Sequence, residues 1–396
     1  MRTLLFVDDD VRVLQGLQRQ LRGMRDVWAM HFVDGGAKAL ELLGTTTVDV
    51  IVTDMMMPVM DGAQLLTEVM KLHPHTVRLV LSGHADREAV LRLVGPAHQY
   101  LSKPCDGEEL RNAINRAFAL RELLTSEPLK QLVTRVRCLP SLPSLHAQLT
   151  RELQQEDPDL DVVGRIISQD IGMMTKILQL VNSAFFGLAQ PISNPAEAVA
   201  YLGLNTVRSL ALSLQVFSQF EQFKVKGFSV ESLASHGWTA GMFARRIAAM
   251  EHCEQRKMDQ CFLAGMLHDV GRLILASEMP EAYARALEVA RGEKRAVWAA
   301  EQDEFGATHA QIGAYLLGLW GLPNHIIEAV AYHHQPAACP TRVFSPVIAV
   351  HVANAFAHEQ TDTGGSLPGN ELDLTTLASL GLDGRIEAWR ERCFSE

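Results

Sequence analysis

Six residues placed just after short apolar runs carry the first legible chemistry. Asp8, Asp9 and Asp10 follow Leu4–Val7, Asp54 follows Val48–Val52, Ser82 follows Val77–Leu81, and Lys103 follows Gln99–Leu101. Carboxylates gathered at one place repel each other, and a hard divalent cation with oxygen ligands, most naturally Mg2+, relieves that repulsion. A lysine and a hydroxyl beside such a cluster suit a phosphoryl group, whose charge the metal and the ammonium neutralise together. Any one of these acids alone ordinarily does no more than solvate a loop. The acid pair, the lone acid, the serine and the Lys103-Pro104 pair, in that order and each at a run's end, point instead to a phosphoryl site.

Such a site requires the runs to lie side by side. Helical patterns fill the gaps between them and follow the last, near 10–25, 35–44, 62–72, 86–94 and 106–124, and a further apolar run covers Trp28–Val33. Five β-α units with nearly continuous apolar strands predict a doubly wound, five-stranded parallel sheet covered by helices on both faces. In open sheets of this kind ligands bind at the C-terminal strand edge, where all six residues would sit.

Composition narrows the partners. The 396 residues are 47% hydrophobic and 21% charged, close to globular averages, which excludes disordered and fibrous chains. Lys plus Arg number 36 against 46 Asp plus Glu, a net charge of −10, which argues against non-specific binding to nucleic acid or an anionic membrane. The six cysteines are scattered without a CxxC pair and read as reduced thiols of a cytoplasmic protein. The opening MRTLLFVDDD runs straight into structure and is too short for a signal peptide, and no apolar stretch approaches the ~18 residues of a membrane span.

The segments LFVDDD, VTDMMMPVMDG, LVLSGHAD and YLSKPCDGEEL resemble a response-regulator receiver domain over residues 1–125. The resemblance implies that Asp54 is the phosphoacceptor, a nucleophile that forms an acyl phosphate. It implies that Asp9, with Asp8 acting through water, holds Mg2+ together with Asp54 and the backbone carbonyl of Met56. Lys103 would contact the phosphoryl oxygens, Ser82 would hydrogen-bond the phosphoryl group, Tyr100 would be the aromatic that follows, and Pro104 would form the cis peptide. Met56 and His84 stand where family members flank the path of hydrolytic water, and a long apolar Met56 cannot orient that water, so slow self-dephosphorylation is expected.

A joint follows at 126–139. Pro128 interrupts the helical pattern, Leu129, Leu132, Val133 and Val136 recur at helical spacing, and LPSLP closes the stretch. This joint is expected to pass the first module's state on as a shift in helix packing. From 140 to 358 the pattern is helical almost throughout and strand alternation is absent, predicting an all-α bundle of about a dozen helices. Ile166–Leu214 reads as a helix packed into a core, with Asn182 inside it in need of partners. Residues 359–396 read as a flexible stretch around 361–366 and a short acidic helix offering Leu374, Leu377, Leu380 and Trp389 for docking. The helix has no basic face, so a DNA-binding output is not expected.

Nine of the fifteen histidines lie between His236 and His358. His236, the adjacent His268-Asp269, His309 and the pair His333-His334 are types that, meeting inside a bundle, bind one or two borderline metals and activate water for attack on a phosphate ester. Spacing alone does not bring them together, and a buried histidine is ordinarily a hydrogen-bonded core residue. GMLHDVG and AYHHQP resemble the HD phosphohydrolase superfamily, and NSAFFG with AVAYLGLNTVRSLAL resembles more narrowly the HDOD output domain over 139–345. HDOD domains are regarded as signalling and interaction modules without established hydrolase activity. Arg272 replaces the lysine that follows HD-x-G in cyclic-dinucleotide phosphodiesterases, Asn354 stands where a final aspartate ligand is expected, and no GYP motif follows.

The whole is therefore expected to be a two-component response regulator. Phosphorylation at Asp54 would control a non-enzymatic HDOD output acting through protein contacts or oligomerisation. The alternative is a phosphorylation-gated phosphohydrolase of a cyclic dinucleotide, with Fe or Mn held by His236, His268, Asp269, His309, His333 and His334. The implied partners are a sensor histidine kinase or phosphotransfer protein, a downstream protein and a second copy of the chain, with neither membrane nor nucleic acid.

Overall fold

The computed structural model describes residues 2–82, 96–155, 157–183, 186, 188, 190–212, 218–219, 225–361 and 371–395. Expectations for the helix near 86–94, for His84, Phe185 and Gly187, and for residues 362–366 lie outside them.

Strands β1 (Arg2–Val7), β2 (Trp28–Val33), β3 (Val50–Asp54), β4 (Val77–Ser82) and β5 (Gln99–Ser102) form one parallel sheet in the order β2-β1-β3-β4-β5. Its described helices are α1 (Val11–Gln20), α2 (Gly36–Leu43), α3 (Gly62–Leu72) and α4 (Gly107–Glu122). Side chains alternate along each strand. Leu4, Phe6, Val50, Val52, Leu79 and Leu81 pack with Leu14, Leu17, Ile114 and Phe118 of α1 and α4. Leu5, Val7, Ile51 and Val80 face the other way, onto Leu43, Leu65 and Val69. Register places Val7 beside Thr53 and Asp54 beside Leu81, which brings the acidic strand ends together.

The joint is α5 (Glu127–Arg135), with Pro128 in its first turn, where a missing N–H does no harm. The helical half comprises α6 (Pro143–Leu153), α7 (Leu160–Ser168), α8 (Ile171–Val181), α9 (Pro195–Leu202), α10 (Leu204–Leu212), α11 (Val230–Met250), α12 (Gln255–Leu267), α13 (Val270–Glu278), α14 (Pro280–Gly292), α15 (Val297–Phe305), α16 (His309–Leu319), α17 (Asn324–Tyr332) and α18 (Pro346–Thr361). Two short helices follow, α19 (Leu374–Ser379) and α20 (Ile386–Phe394). The apolar cluster on the α1/α4 face of the sheet continues unbroken through Leu120, Leu129 and Val133 into this half.

Three expectations change. The stretch read as one helix from Ile166 runs, over its described residues, from α7 through α10. Asn182 lies just past α8, where its amide is satisfied by Ile192, donating to the carbonyl at 2.8 Å and accepting from the N–H at 2.7 Å. A two-residue parallel pairing, β6 (Pro140–Ser141) with β7 (Ser218–Gln219), is too short to leave any alternation in the sequence. Trp389 is not available for docking. It is fully buried, and its indole N–H donates to Glu251 at 2.9 Å, so α20 is folded back onto the bundle.

Candidate functional site

At the sheet edge, Asp10 leaves the cluster to cap α1, accepting from the Arg12 N–H at 2.8 Å. Asp8 is buried at the end of β1, Asp54 is buried as the last residue of β3, and Asp9 is exposed. Ligand oxygens of Asp8, Asp9 and Asp54 lie within 4.8 Å of one another. The Lys103 ammonium bridges two of them, 2.6 Å from Asp8 and 2.5 Å from Asp54, and the Lys103-Pro104 peptide is cis. Burial pushes the Asp54 carboxyl up, against the pull of Lys103. Burial also works against the Lys103 charge, yet the two carboxylates hold its pKa above the ordinary lysine value. The N–H of Met56 donates to Asp54 at 3.1 Å while its side chain is exposed. Ser82 ends β4 at the same edge, and Tyr100 is buried in the cluster with Val7, Ile51 and Val80. Gly62 is required here, because a Cβ at that position would run into the carbonyl oxygen of Asp54. These oxygen donors fit Mg2+, the ion that receiver domains generally bind for phosphorylation.

The six histidine-centre residues also converge. Asp269, His309, His333 and His334 form one ligating set, and His236, His268 and Asp269 a second that shares the aspartate. The His309 Nε2 lies 3.1 Å from Asp269 Oδ1, and those of His268 and His333 each lie 3.7 Å from it. His334 and His309 meet at 3.1 Å through Nε2, and His236 and His268 at 3.3 Å. The opposite ring nitrogens are held from outside. His268 Nδ1 donates to the Gly265 carbonyl at 2.6 Å, His333 Nδ1 to Val330 at 2.8 Å, and His309 Nδ1 meets Glu301 at 2.6 Å. Holding Nδ1 in this way aims Nε2 inward, as metal-ligating histidines are held.

Burial, reinforced by neighbouring positive charge, holds His236, His333 and His334 well below the usual imidazole range, leaving them in the neutral form that ligates metal. His309 differs. Burial opposes its charge, but Glu301 and Asp269 raise it to about 9. Burial also opposes charge on Asp269, yet His268, Arg272 and His309 hold its carboxyl well below the ordinary range. His333 Nε2 is fully buried with no hydrogen-bond partner, the condition of a nitrogen with an unfilled ligand position. The donor set therefore fits a borderline divalent metal.

Sequence reasoning missed Glu301, the fully buried acid that receives both the ring and the backbone N–H of His309. It also missed the connection between the two modules. Arg78 of β4 is fully buried, donating to the carbonyls of Pro96 at 2.5 Å, Thr76 at 3.2 Å and Thr134 of α5 at 2.9 Å. His98 accepts from the Arg78 N–H at 2.9 Å and reaches the same Thr134 carbonyl at 3.1 Å. Gln99 donates to Gly318 of α16 at 3.0 Å, and Gln179 of α8 donates to His98 at 3.2 Å.

Residues 139–336 match the model of the HDOD domain, and residues 4–115 match that of the response regulator receiver domain. An uncharacterized protein of Treponema pallidum (strain Nichols) is 26% identical over 224 residues, 57% of this chain and 43% of that protein. The DNA-binding transcriptional regulator NtrC of Escherichia coli (strain K12) is 34% identical over 114 residues, 28% of this chain and 24% of that protein. Among solved structures, the MmoQ response regulator from Methylococcus capsulatus str. Bath is similar at 25% identity and a TM-score of 0.50, covering 64% of this chain and 98% of its own. The chain thus spans less than half the length of these curated relatives.

Proposed function

The chain belongs to the HDOD domain family and carries a response regulator receiver domain ahead of that module, and from this premise we propose that it is a two-component response regulator phosphorylated on Asp54. The receiver spans 1–125, the joint 126–139, the output module 140–358 and the closing segment 359–396. A histidine kinase or phosphotransfer protein supplies the phosphoryl group. An Asp54 oxygen attacks phosphorus, the bond to the donor breaks, and the displaced group leaves with its electron pair. Asp8, Asp9 and Asp54, with the Met56 carbonyl, would hold Mg2+, which when bound neutralises charge on the transferring oxygens. Lys103 holds the remaining charge, Ser82 receives the phosphoryl group as hydrogen-bond donor, and Tyr100 is the aromatic that follows.

The observation that carries this reading is the Lys103 ammonium seated between Asp8 and Asp54, a cation already placed where phosphoryl oxygens must go. Exposed Met56 offers no polar group to incoming water, so the acyl phosphate is expected to decay over minutes or longer rather than seconds. Incubation with acetyl phosphate and Mg2+ should label the protein, and Asp54→Asn should remove the label. Persistent labelling of that variant would falsify the assignment.

The shared core and the Arg78–Thr134 contact support passage of the receiver's state to the output module through α5 and α16. That module is proposed to act by protein contact or oligomerisation, in the cytoplasm; no described helix is long and apolar enough to cross a membrane. A second reading, a metal-dependent phosphohydrolase of a cyclic dinucleotide, is favoured by one observation, the convergence of His236, His268, Asp269, His309, His333 and His334. Turnover of a cyclic dinucleotide by metal-loaded protein, lost in His268→Ala, would establish it.

A further inference from the structure

The two ligating sets of the histidine centre are unequal. The first, Asp269 with His309, His333 and His334, offers four protein ligands, the full count for a closed tetrahedral site. Its His333 Nε2 is buried and unpartnered, and its His309 is fixed from behind by Glu301. The second set has three ligands, one of them the shared Asp269. His236 Nε2 is engaged at 3.0 Å by the Asn354 amide oxygen, and turning the amide over would only exchange an acceptor for a donor. Asp269 cannot readily give one oxygen to each of two ions. Its Oδ1 faces His309, His268 and His333, while its Oδ2 accepts from Arg272 at 2.9 Å, and Arg272 is in turn held by the Tyr283 hydroxyl at 3.0 Å. A second dication would share the only anionic ligand that the described residues give the centre, with a guanidinium hydrogen-bonded to that same carboxylate. Burial makes such uncompensated charge costly.

We propose that this centre holds one tightly bound borderline divalent ion, on Asp269, His309, His333 and His334, and that Asn354 and Arg272 keep the His236–His268 side from holding a second of comparable strength. The proposal rests on the reading that the output module binds metal at all. Its consequence is chemical. Displacement at phosphorus by a pair of metals needs both ions, one for the attacking and one for the leaving oxygen. A one-ion centre keeps the metal's structural and ligand-binding roles while lacking that pair, which suits a module that signals rather than hydrolyses.

The test is metal stoichiometry on the full chain, loaded with Zn2+, passed through gel filtration and measured by elemental analysis. Wild type should retain one ion per chain, and His236→Ala should retain one as well. His334→Ala should retain less than a tenth of an ion, and Asn354→Asp, which supplies a second carboxylate, should retain two. A parallel Mn2+ loading should show a spin-coupled pair only in Asn354→Asp. Circular dichroism verifies that each variant is folded, and the His236→Ala and His334→Ala pair decides the question even if Asn354→Asp is unstable. Two ions of equal tenacity in wild type would overturn the inequality while leaving the metal reading intact. One ion still in Asn354→Asp would overturn the role given to Asn354, and no ion in any form would overturn the metal reading itself.

Discussion

The carboxylate pocket of the receiver and the histidine centre of the output module both gather groups that bind cations, and they do so in opposite ways. The pocket uses oxygen donors at the ends of adjacent strands, leaves Asp9 exposed, and balances its acids with a lysine salt-bridged to Asp8 and Asp54. The centre uses imidazole nitrogens brought together from four places in the bundle, buries most of them, and fixes three of the rings from behind through Nδ1. A hard ion held by a few oxygens with water around it exchanges readily. A borderline ion enclosed by nitrogens does not. The difference would separate the transient label proposed for the pocket from the tightly held ion proposed for the centre.

Both sites rely on a glycine beside a key backbone, which provides the sharpest comparison. A Cβ on Gly271 would strike the carbonyl oxygen of His309, and one on Gly62 would strike that of Asp54, less deeply. Gly271→Ala should therefore destabilise the protein by about 3 kcal/mol or more in urea unfolding and cut Zn2+ retention, because His309 must move. Gly62→Ala should cost about 2 kcal/mol and slow labelling while leaving the histidine centre's metal untouched. Loss of metal in Gly62→Ala would show that the two sites are not separable.

The pocket's dependence on an ammonium is the next point of contrast. Lys103→Ala should slow phosphoryl uptake from acetyl phosphate by about 100-fold, equivalent to roughly 2.7 kcal/mol. The same change should tighten Mg2+ binding in calorimetric titration, since Asp8 and Asp54 lose their internal counter-charge. Weaker Mg2+ binding would mean that Lys103 supports the acids' geometry more than it neutralises them.

This contrast also governs what could be read from residues alone. Strand periodicity is local and the sheet's chemistry lies at strand ends, so the residues alone place Asp8, Asp54, Ser82 and Lys103 on one edge. The histidines could be named but not assembled, because in a bundle the convergence depends on helix packing that no short pattern encodes. Glu301 sits among Gln302, Asp303 and Glu304, and nothing in the sequence separates the buried acid from its exposed neighbours. Arg78 reads as an ordinary polar residue of a strand, and Trp389 as a free apolar anchor. Both are buried by contacts remote in the chain, Arg78 with Thr134 and Trp389 with Glu251.

Between the two sites lies a third kind of charge, buried with no carboxylate beside it among the described residues. Lys176 of α8 is 3% exposed, donating at 2.9 Å to the Arg137 carbonyl of the joint and at 2.9 Å to Gln179, with the Trp320 ring 5.3 Å away. Gln179 passes the contact on to His98, and Arg78 lies beyond. Burial lowers the Lys176 pKa from 10.5 to about 8, with Cys138 acting in the opposite sense. A base whose pKa is depressed by folding binds fewer protons in the native state than in the unfolded chain between those two values. Stability should therefore rise with pH from about 8 to about 10.5, whereas below about 8 the buried ammonium weighs fully against the docked state. Arg78, His98, Cys138 and the tyrosines titrate or carry charge nearby, so the quantity to measure is the difference between wild type and Lys176→Met in urea unfolding at pH 8 and pH 10. That difference should move in favour of wild type by about 2 kcal/mol over the interval. A flat difference would mean that Lys176 is charged at the same pH in both states. The junction would then be as well solvated as the carboxylate pocket, and the shared core would not be the dry coupling between modules that the buried contacts of Lys176 with Arg137 and of Arg78 with Thr134 imply.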